Sequence, residues 1–419
     1  MPSPAADRTR MTPAVVVLVI TLLLSLQPIT TDLYLPALPT LQRDLGASLS
    51  ATQLTLSALI ICFGLGQLVC GPLSDRFGRR PVLLAGMALY TVASVLGTLA
   101  QSIEALIAWR MLQGAAMAAA VTCGRAIVRD LFQPHEGARM MSRALGGLGI
   151  IAMLSPVVGG LLVQAFNWHA ALLMTVLFGA ATFAFIALRF DETLQQHNPA
   201  ATRPSQLLRN WRTVVSHPTF RAYTALLCAT YGGLFFVLAG SSFVFINVLG
   251  TSRVVYGLIL ASSSLAYIAG TWLCRRLLLK HGLPGAVKRG ALFSLAGGVG
   301  MAALSLAGVQ SVWAIMLPQL LFAVGHGIHQ PCGQVGVAGP FPDKAGTASS
   351  LSGFAMMLTA FLVGLWLGHA PSHTVYPVTL GVGLFSIVLA FVAWTLVQRH
   401  GDPAAAHLRV PTTTGAAPS

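Results

Sequence analysis

Two ionisable side chains lie inside long apolar stretches of this sequence. Asp32 follows a run without charge that begins at Met11, in "TTDLYLPALP", and it precedes Pro39 by seven residues; Arg110 follows Glu104 by six. At a helical rise of about 1.5 Å per residue, both lie about 10 Å inside a membrane from the same surface. Ionisable residues at that depth indicate function. We predict that Asp32 carries a proton beside Arg110; the alternative is a surface aspartate that caps a helix.

The elements that position these residues are predicted to be membrane-spanning helices. The chain has 419 residues, of which 55% are hydrophobic and 9% charged, against about 25% charged in soluble domains. Apolar runs of about 20 residues indicate helices, not barrel strands. An all-α integral membrane protein is therefore expected, with twelve spans at 12–37, 50–72, 81–101, 104–128, 139–165, 168–188, 221–247, 255–278, 286–307, 310–336, 345–368 and 374–397.

The spans fall into two sets of six. We predict an N-terminal bundle at 1–189, a cytoplasmic linker at 190–220, a C-terminal bundle at 221–398 and a disordered cytoplasmic tail at 399–419. The linker is either an amphipathic helix lying flat on the membrane or a partly ordered segment. "GPLSDRFGRR" after the second span has a faint echo in "GTWLCRRLLLKHG" after the eighth, so two related halves with a substrate site between them are expected.

The net charge of +14 is distributed by loop. Cations fill every second loop, which is typical of cytoplasmic loops and places both termini in the cytoplasm. This arrangement argues against nucleic-acid binding. The six cysteines lie in apolar segments without CxxC spacing, so neither a disulfide framework nor a metal site is predicted. The first apolar run is interpreted as a retained helix, not a cleaved signal peptide.

The loop "GPLSDRFGRRP" after the second span combines two glycines, one aspartate and three arginines. The glycines permit a tight turn, and the aspartate can face the positive N-terminus of the eleventh span near Gly346. We predict a cytoplasmic latch that holds the outward-facing state; the alternative is that these charges only fix topology. The predicted latch comprises Gly71, Asp75, Arg76, Gly78, Arg79, Arg80, Arg125 and Asp130.

Three segments together resemble a known family. "GPLSDRFGRRP" resembles the loop signature of the major facilitator superfamily, and the segment from Arg110 to Asp130 resembles the fourth-span motif of drug:proton antiporters. "LSPVVGG" resembles the fifth-span antiporter motif, with Ser155 in place of its first glycine, followed by Pro156, Gly159 and Gly160. "TTDLYLPALP", "AGSSFVFINVLG" and "AGTASSLSGF" are similar to the Bcr/CflA branch of bicyclomycin and chloramphenicol exporters.

The resemblance implies the major facilitator fold, a monomer in the bacterial inner membrane, and export of small, mostly apolar drugs. It implies that the proton gradient drives transport without a cofactor, with Asp32 as the protonation site. Some relatives hold a second acidic residue two turns earlier, where Leu24 stands here, so export of dications is not expected. A proton-coupled importer of a sugar or organic acid is the main alternative, and a receptor that does not transport is a weaker one.

The remaining candidates are expected to line the substrate cavity. His326 and His329 in "GHGIHQPCGQ" share a helix face and either titrate or pack as interior histidines. The sequence contains no GxxxxGK[ST] loop, so ATP is not expected to drive the protein. It also contains no serine–histidine–acid set in a water-exposed domain, so an enzyme is not expected. The predicted substrate contacts are Gln27, Tyr34 and Gln113 in the first half, and Tyr231, Phe235, Asn247, Gln319, His326 and His329 in the second.

Overall fold

The N-terminal half is a bundle of helices. The computed structural model describes residues 12–132 and 134–401. The helices of this half are α1 (Pro13–Thr31), α2 (Leu38–Asp44), α3 (Leu49–Phe77), α4 (Arg79–Thr98), α5 (Ile103–Leu131), α6 (Pro134–Ala165) and α7 (Trp168–Arg189), with a 3₁₀ turn at Leu35–Ala37 between α1 and α2.

A short helix and a second bundle follow. Helix α8 (Pro204–Ser216) lies within the linker. The second bundle comprises α9 (Pro218–Ser242) with a π-helical end (Phe243–Val248), α10 (Arg253–Leu306), α11 (Val312–Ala338), α12 (Ala345–His369), α13 (Tyr376–Trp394) and α14 (Leu396–His400), with a 3₁₀ turn at Pro342–Lys344 before α12.

Helix α10 contains the predicted eighth and ninth spans as two arms. Its 54 residues are broken at Gly282, where φ is 66°. A left-handed φ costs glycine little, so one residue reverses the chain and no separate loop is needed. The described residues contain 11 helices long and apolar enough to cross a membrane. With α10 counted as two arms, the chain crosses twelve times, as predicted.

Side-chain caps start many of the spans. At the start of five spans, the side chain of the N-cap residue accepts a hydrogen bond from the backbone N–H three residues later. These N-cap residues are Ser48, Ser102, Asn167, Ser252 and Ser311. Such caps satisfy one of the free N–H groups at a helix start. All five lie at the end of the molecule to which Asp32 also belongs, which we call the Asp32 end; the opposite end is the Arg79 end.

The two halves pack together through two helix pairs, α3 with α12 and α6 with the first arm of α10. Gly64 of α3 lies against Met357 of α12, and Gly257 of α10 lies against Pro156 of α6. Small residues at such crossings let two backbones approach closely, which favours helix association in lipid. The functional residues of both halves therefore meet along these two seams.

Candidate functional site

Asp32 lies where the first span breaks. Helix α1 ends at Thr31, and the Asp32 backbone N–H donates to the Pro28 carbonyl at 2.8 Å. The Thr31 hydroxyl donates to Asp32 Oδ1 at 2.7 Å. Asp32 does end a helix, as the surface alternative supposed, but Leu33, Tyr34 and the residues after them are buried. The carboxylate is thus half-buried inside the protein rather than at a free helix end.

The second half of the molecule faces this carboxylate. The hydroxyls of Tyr231 in α9 and Tyr256 in α10 lie near enough to Asp32 to interact with it electrostatically. The Gln27 side-chain amide donates to the Tyr231 hydroxyl at 3.5 Å, and the Tyr256 hydroxyl contacts the Ser241 hydroxyl at 3.0 Å. Asp32 therefore stands at the boundary between the halves, where a change in its charge acts on both.

Arg110 is buried, and none of the described residues forms an ion pair with it. Its guanidinium donates to Gln113 Oε1 at 2.8 Å and to the Thr30 carbonyl at 3.0 Å, and it lies 4.2 Å above the Tyr34 ring. Its Nε has no partner among the described residues. The expected stabilisation of Asp32 by a neighbouring Arg110 is not seen as an ion pair, because the guanidinium turns toward α1 backbone and α5 instead. An unpaired buried cation remains available for an anionic group.

Two predicted contacts of the first half, Tyr34 and Gln113, touch Arg110 directly. The Tyr34 hydroxyl contacts the Thr55 hydroxyl at 2.8 Å, and the Gln113 amide donates to the Ser94 hydroxyl at 2.6 Å. Gln27 sits one turn before Thr31 and reaches across to the second half. The hydrogen bonds hold these three side chains in fixed positions.

The predicted contacts of the second half are more dispersed. Tyr231 and Phe235 are buried with stacked rings, and the Gln319 amide donates to the Ser263 hydroxyl at 2.7 Å. Asn247 is exposed at the Asp32 end, in the π-helical segment, and lies apart from the others. The structure does not bring Asn247 to the site.

The two histidines contact different helices. His326 Nδ1 lies 2.9 Å from the Thr230 hydroxyl of α9, with the Tyr267 ring 5.5 Å away. His329 lies against the second arm of α10, with Nε2 3.3 Å from the Val287 carbonyl and Nδ1 3.5 Å from the Ser294 hydroxyl. These partners give His329 the contacts of a packed interior histidine. Within the described chain, no group of three or more His, Cys, Asp or Glu residues could hold a metal ion.

The "SPVVGG" segment lies at the junction of three helices. A Cβ on Gly159 would overlap the Leu33 carbonyl, and a Cβ on Gly160 would overlap the Arg253 carbonyl. The Ser155 hydroxyl donates to the Ile151 carbonyl one turn back at 2.7 Å, beside Pro156. Helix α6 therefore touches the backbone next to Asp32 and the start of α10 through residues without side chains.

We expect Gly159→Ala to destabilise the protein by about 1–3 kcal/mol, the usual cost of overpacking. The added methyl would displace the Leu33 backbone, because no flexible side chain is there to yield. Gly146→Ala on the same helix is the control: no atom lies within 4 Å of its added methyl, so alanine should be neutral or slightly stabilising. Thermal unfolding in detergent measures both; equal unfolding temperatures would contradict the packing described.

A cluster around Arg79 closes the turn between α3 and α4. The buried guanidinium donates to Asp75 Oδ1 at 2.5 Å, to Asp130 Oδ2 at 2.9 Å and to the Ser74 hydroxyl at 2.7 Å. Arg80 donates to the Phe190 carbonyl at 2.8 Å, and Arg76 to the Thr202 hydroxyl at 2.6 Å. The loop thus joins α3 and α5 to the start of the linker. Gly78 makes the turn with a φ of 102°.

Glu192 completes this cluster, although no motif had pointed to it. Its carboxylate accepts from the backbone N–H groups of Arg79 at 2.9 Å and Arg80 at 3.0 Å. It also accepts from the N–H groups of Thr193 and Leu194. A negative group at the start of α4 satisfies free donors and complements the helix dipole. The capping residue is more than a hundred positions away, so local sequence carries no signal for it.

A cavity of about 690 Å³ lies at the Arg79 end. Its walls include Asp75, Arg125 and Arg129 on one side, and Gly346 and Thr347 at the start of α12 on the other. No hydrogen bond between Asp75 and the α12 N-terminus is found among the described residues, because Asp75 pairs with Arg79. Arg125, a predicted latch member, is exposed and has no ion pair in the described chain. The predicted latch between the halves is thus open here.

The opposite end is closed by bonds between the halves. The Gln53 amide of α3 donates to the Ala239 carbonyl of α9 at 2.8 Å. The Arg253 guanidinium donates to the Thr40 hydroxyl at 2.8 Å. Gly368 of α12 packs against Ser50. The two halves are therefore joined at the Asp32 end, and the cavity lined by Asp75, Arg125 and Gly346 lies between them at the Arg79 end.

We expect Arg79→Gln to destabilise the protein by less than the roughly 3–5 kcal/mol seen when one partner of a fully buried pair is removed. The reason is that the Asp75 side chain is 45% exposed and that of Asp130 16% exposed, so water can solvate the freed carboxylates. Arg76→Gln, which removes an exposed arginine without an ion pair, is the control. Thermal unfolding compares the two; an equal effect would mean that the Arg79 pairs contribute nothing.

The chain is similar to known transport proteins. Residues 20–364 match the family model described as Major Facilitator Superfamily. Multidrug resistance protein D of Escherichia coli K12 is 29% identical over 80% of this chain and 84% of its own. The chloramphenicol resistance protein of Pseudomonas aeruginosa is 30% identical over 83% of this chain and 82% of its own.

A solved structure shares the fold. The inward-open structure of the xylose transporter XylE from Escherichia coli superposes with a TM-score of 0.73 at 16% identity. The match covers 92% of this chain and 96% of that one. At this identity the likeness concerns the fold alone.

Proposed function

The chain belongs to the major facilitator superfamily, in its Bcr/CflA branch of drug:proton antiporters, and from this we propose that it exports small, mostly apolar drugs in exchange for protons. It is a multi-pass membrane protein of a transporter family, not an enzyme family. Phenicol-like and bicyclomycin-like compounds are the proposed substrates. The observation that carries the proposal is the half-buried Asp32 carboxylate at the boundary between the halves, within electrostatic range of Tyr231 and Tyr256.

We place the Arg79 end in the cytoplasm of a bacterial inner membrane, with both termini on that side. Positive residues concentrate at this end, which supports the orientation. The cavity is then open to the cytoplasm, where a drug enters, and the Asp32 end faces the periplasm, where protons enter. We propose a monomer without cofactor; members of this superfamily generally need none.

The coupling follows from competition at one site. Drug bound near Tyr231 and Tyr256 favours the loss of the proton from the Asp32 carboxyl group. A proton arriving from the periplasm in turn displaces the drug. Each proton that enters provides about 2.3 kcal/mol per 100 mV of membrane potential. A tenfold drug gradient needs about 1.4 kcal/mol, so one proton is enough.

Drug accumulation in bacteria that lack their own major pumps tests the direction of transport. Cells that produce the protein should hold less chloramphenicol than cells with an empty vector, and a protonophore should remove the difference. If the protein instead raises accumulation, it is an importer. If drug levels stay equal for every phenicol and dye tried, the exporter proposal fails.

A further inference from the structure

The break in α10 carries a concentrated positive charge. Between Thr193 and Gly401 the only acidic residue is Asp343. Around Gly282 lie the cations that we call the basic turn: Arg275, Arg276, Lys280, Lys288 and Arg289. All but the half-buried Arg289 are exposed, and no ion pair to them occurs in the described residues. Such a group can bind an external anion.

A lipid-facing apolar stripe leads to the basic turn. Along the first arm of α10, Leu265 is 55% exposed, Trp272 54% and Leu279 91%. These positions recur at helical spacing on one face, and Arg276 lies one turn after Trp272 on the same face. The stripe is a surface on which an acyl chain can lie, with positive charge at its cytoplasmic end.

Arg276 is held in position at that end of the stripe. Its guanidinium lies 3.7 Å from the centre of the Trp272 ring. A planar cation stacked on an aromatic ring is pre-organised and keeps its N–H donors directed outward. The same ring faces lipid on its exposed side. One residue pair thus joins an apolar surface to a set of donors suited to phosphate.

The turn itself is hydrogen-bonded to α13 and α14. The Trp394 indole N–H donates to the Lys288 carbonyl at 3.0 Å, and the Gln398 amide donates to the Pro284 carbonyl at 3.0 Å. Arg289 donates to the Gly285 carbonyl at 3.1 Å. These bonds use backbone carbonyls of the turn and do not use the lysine ammonium groups or the Arg276 guanidinium. The backbone that carries these cations is therefore held in a defined position.

We propose that the basic turn and its stripe bind an acidic phospholipid. The phosphate lies on Arg276, with Arg275 and Lys280 beside it, and an acyl chain follows Leu265, Trp272 and Leu279. Charge complementarity selects an anionic headgroup, since each cation near a membrane surface contributes about 1 kcal/mol of attraction to acidic lipid. The stripe selects a lipid over a soluble anion. This site lies outside the transport pathway and is independent of the proposed substrate.

Lipid retention by the full-length protein tests the site. Native protein is purified from vesicles made of equal parts phosphatidylcholine and phosphatidylglycerol, and native mass spectrometry counts the lipids that stay bound. The variant Arg275→Gln/Arg276→Gln/Lys280→Gln is compared with Arg203→Gln/Arg209→Gln/Arg212→Gln, which removes three exposed cations of the linker. Trp272→Leu removes the ring but keeps every charge.

We expect the turn variant to lose its preference for phosphatidylglycerol by at least about tenfold, from three lost cations. The linker variant should keep the native preference, and Trp272→Leu should weaken it. Unfolding temperatures in pure phosphatidylcholine show that the variants are folded. Equal phosphatidylglycerol retention by native protein and turn variant overturns the proposal, as does an equal loss in the linker variant. Retention of phosphatidylcholine as strong as that of phosphatidylglycerol also overturns it.

Discussion

Cells that produce Asp32→Asn should accumulate as much drug as cells with an empty vector. Asparagine keeps the size of the side chain and its hydrogen bond from Thr31, but it neither binds nor releases a proton. Because Asp32 faces Tyr231 and Tyr256 across the boundary between the halves, the loss of its charge change removes the coupling of proton to drug. Drug accumulation and whole-cell drug resistance measure the effect.

Asp44→Asn is the matched control for this prediction. Asp44 is exposed, ends α2 and lies at the Asp32 end. The substitution makes the same chemical change twelve positions along the chain without touching the interior. It should leave export at the native level. Native export by Asp32→Asn, or an equal loss by Asp44→Asn, would remove Asp32 from the coupling role.

Arg110→Met should abolish export while leaving the protein as stable as the native chain, or more so. The buried guanidinium makes two hydrogen bonds and one ring contact, and no carboxylate of the described residues pairs with it, so the cost of removing its charge from water is not offset. Methionine of similar length removes that cost and fills the space. We attribute the expected loss of export to the missing cation, which we propose pairs with Asp32 or the drug in another conformation.

Thermal unfolding and drug accumulation are measured on the same preparations of Arg110→Met and Arg110→Lys. Lysine keeps the charge, but its single ammonium cannot reproduce the fork that reaches Gln113 and Thr30 together. We therefore expect Arg110→Lys to lose at least about tenfold of the export rate. Met111→Leu, at a neighbouring exposed position, is the control for helix α5. An unstable Arg110→Met, or native export by either Arg110 variant, would contradict this role.

The fold followed from the sequence because lipid imposes one simple pattern. A spanning helix needs about 20 apolar residues, and every predicted span is present within a few residues of its expected bounds. The sequence predicted two separate spans on either side of Gly282. It did not predict that the two helices would meet at this single residue, because a left-handed glycine can reverse the chain without a separate loop. The end of α1 at Thr31 was also missed, since "TTDLYLPALP" has the same apolar composition on both sides of the break.

The site was predicted in its residue types but not in its pairings. Depth along two helices placed Asp32 and Arg110 at one level, yet depth says nothing of rotation, and the two side chains point to different partners. Arg79 and Asp130 were both predicted as latch residues, and in the structure they pair with each other. The Glu192 cap did not, because it depends on where a distant linker returns. The positions of Tyr231 and Tyr256 depend in the same way on how the two halves meet.

Proton movement in proteoliposomes tests directly whether Asp32 couples drug transport to proton transport. Purified protein is reconstituted with a pH-sensitive dye inside, and chloramphenicol is added outside without any imposed gradient. Drug moving inward through native protein should drive protons outward, so that the interior becomes more alkaline. Asp32→Asn should show no pH change although the drug still binds. A normal pH change with Asp32→Asn, or drug movement through native protein without any pH change, would contradict it.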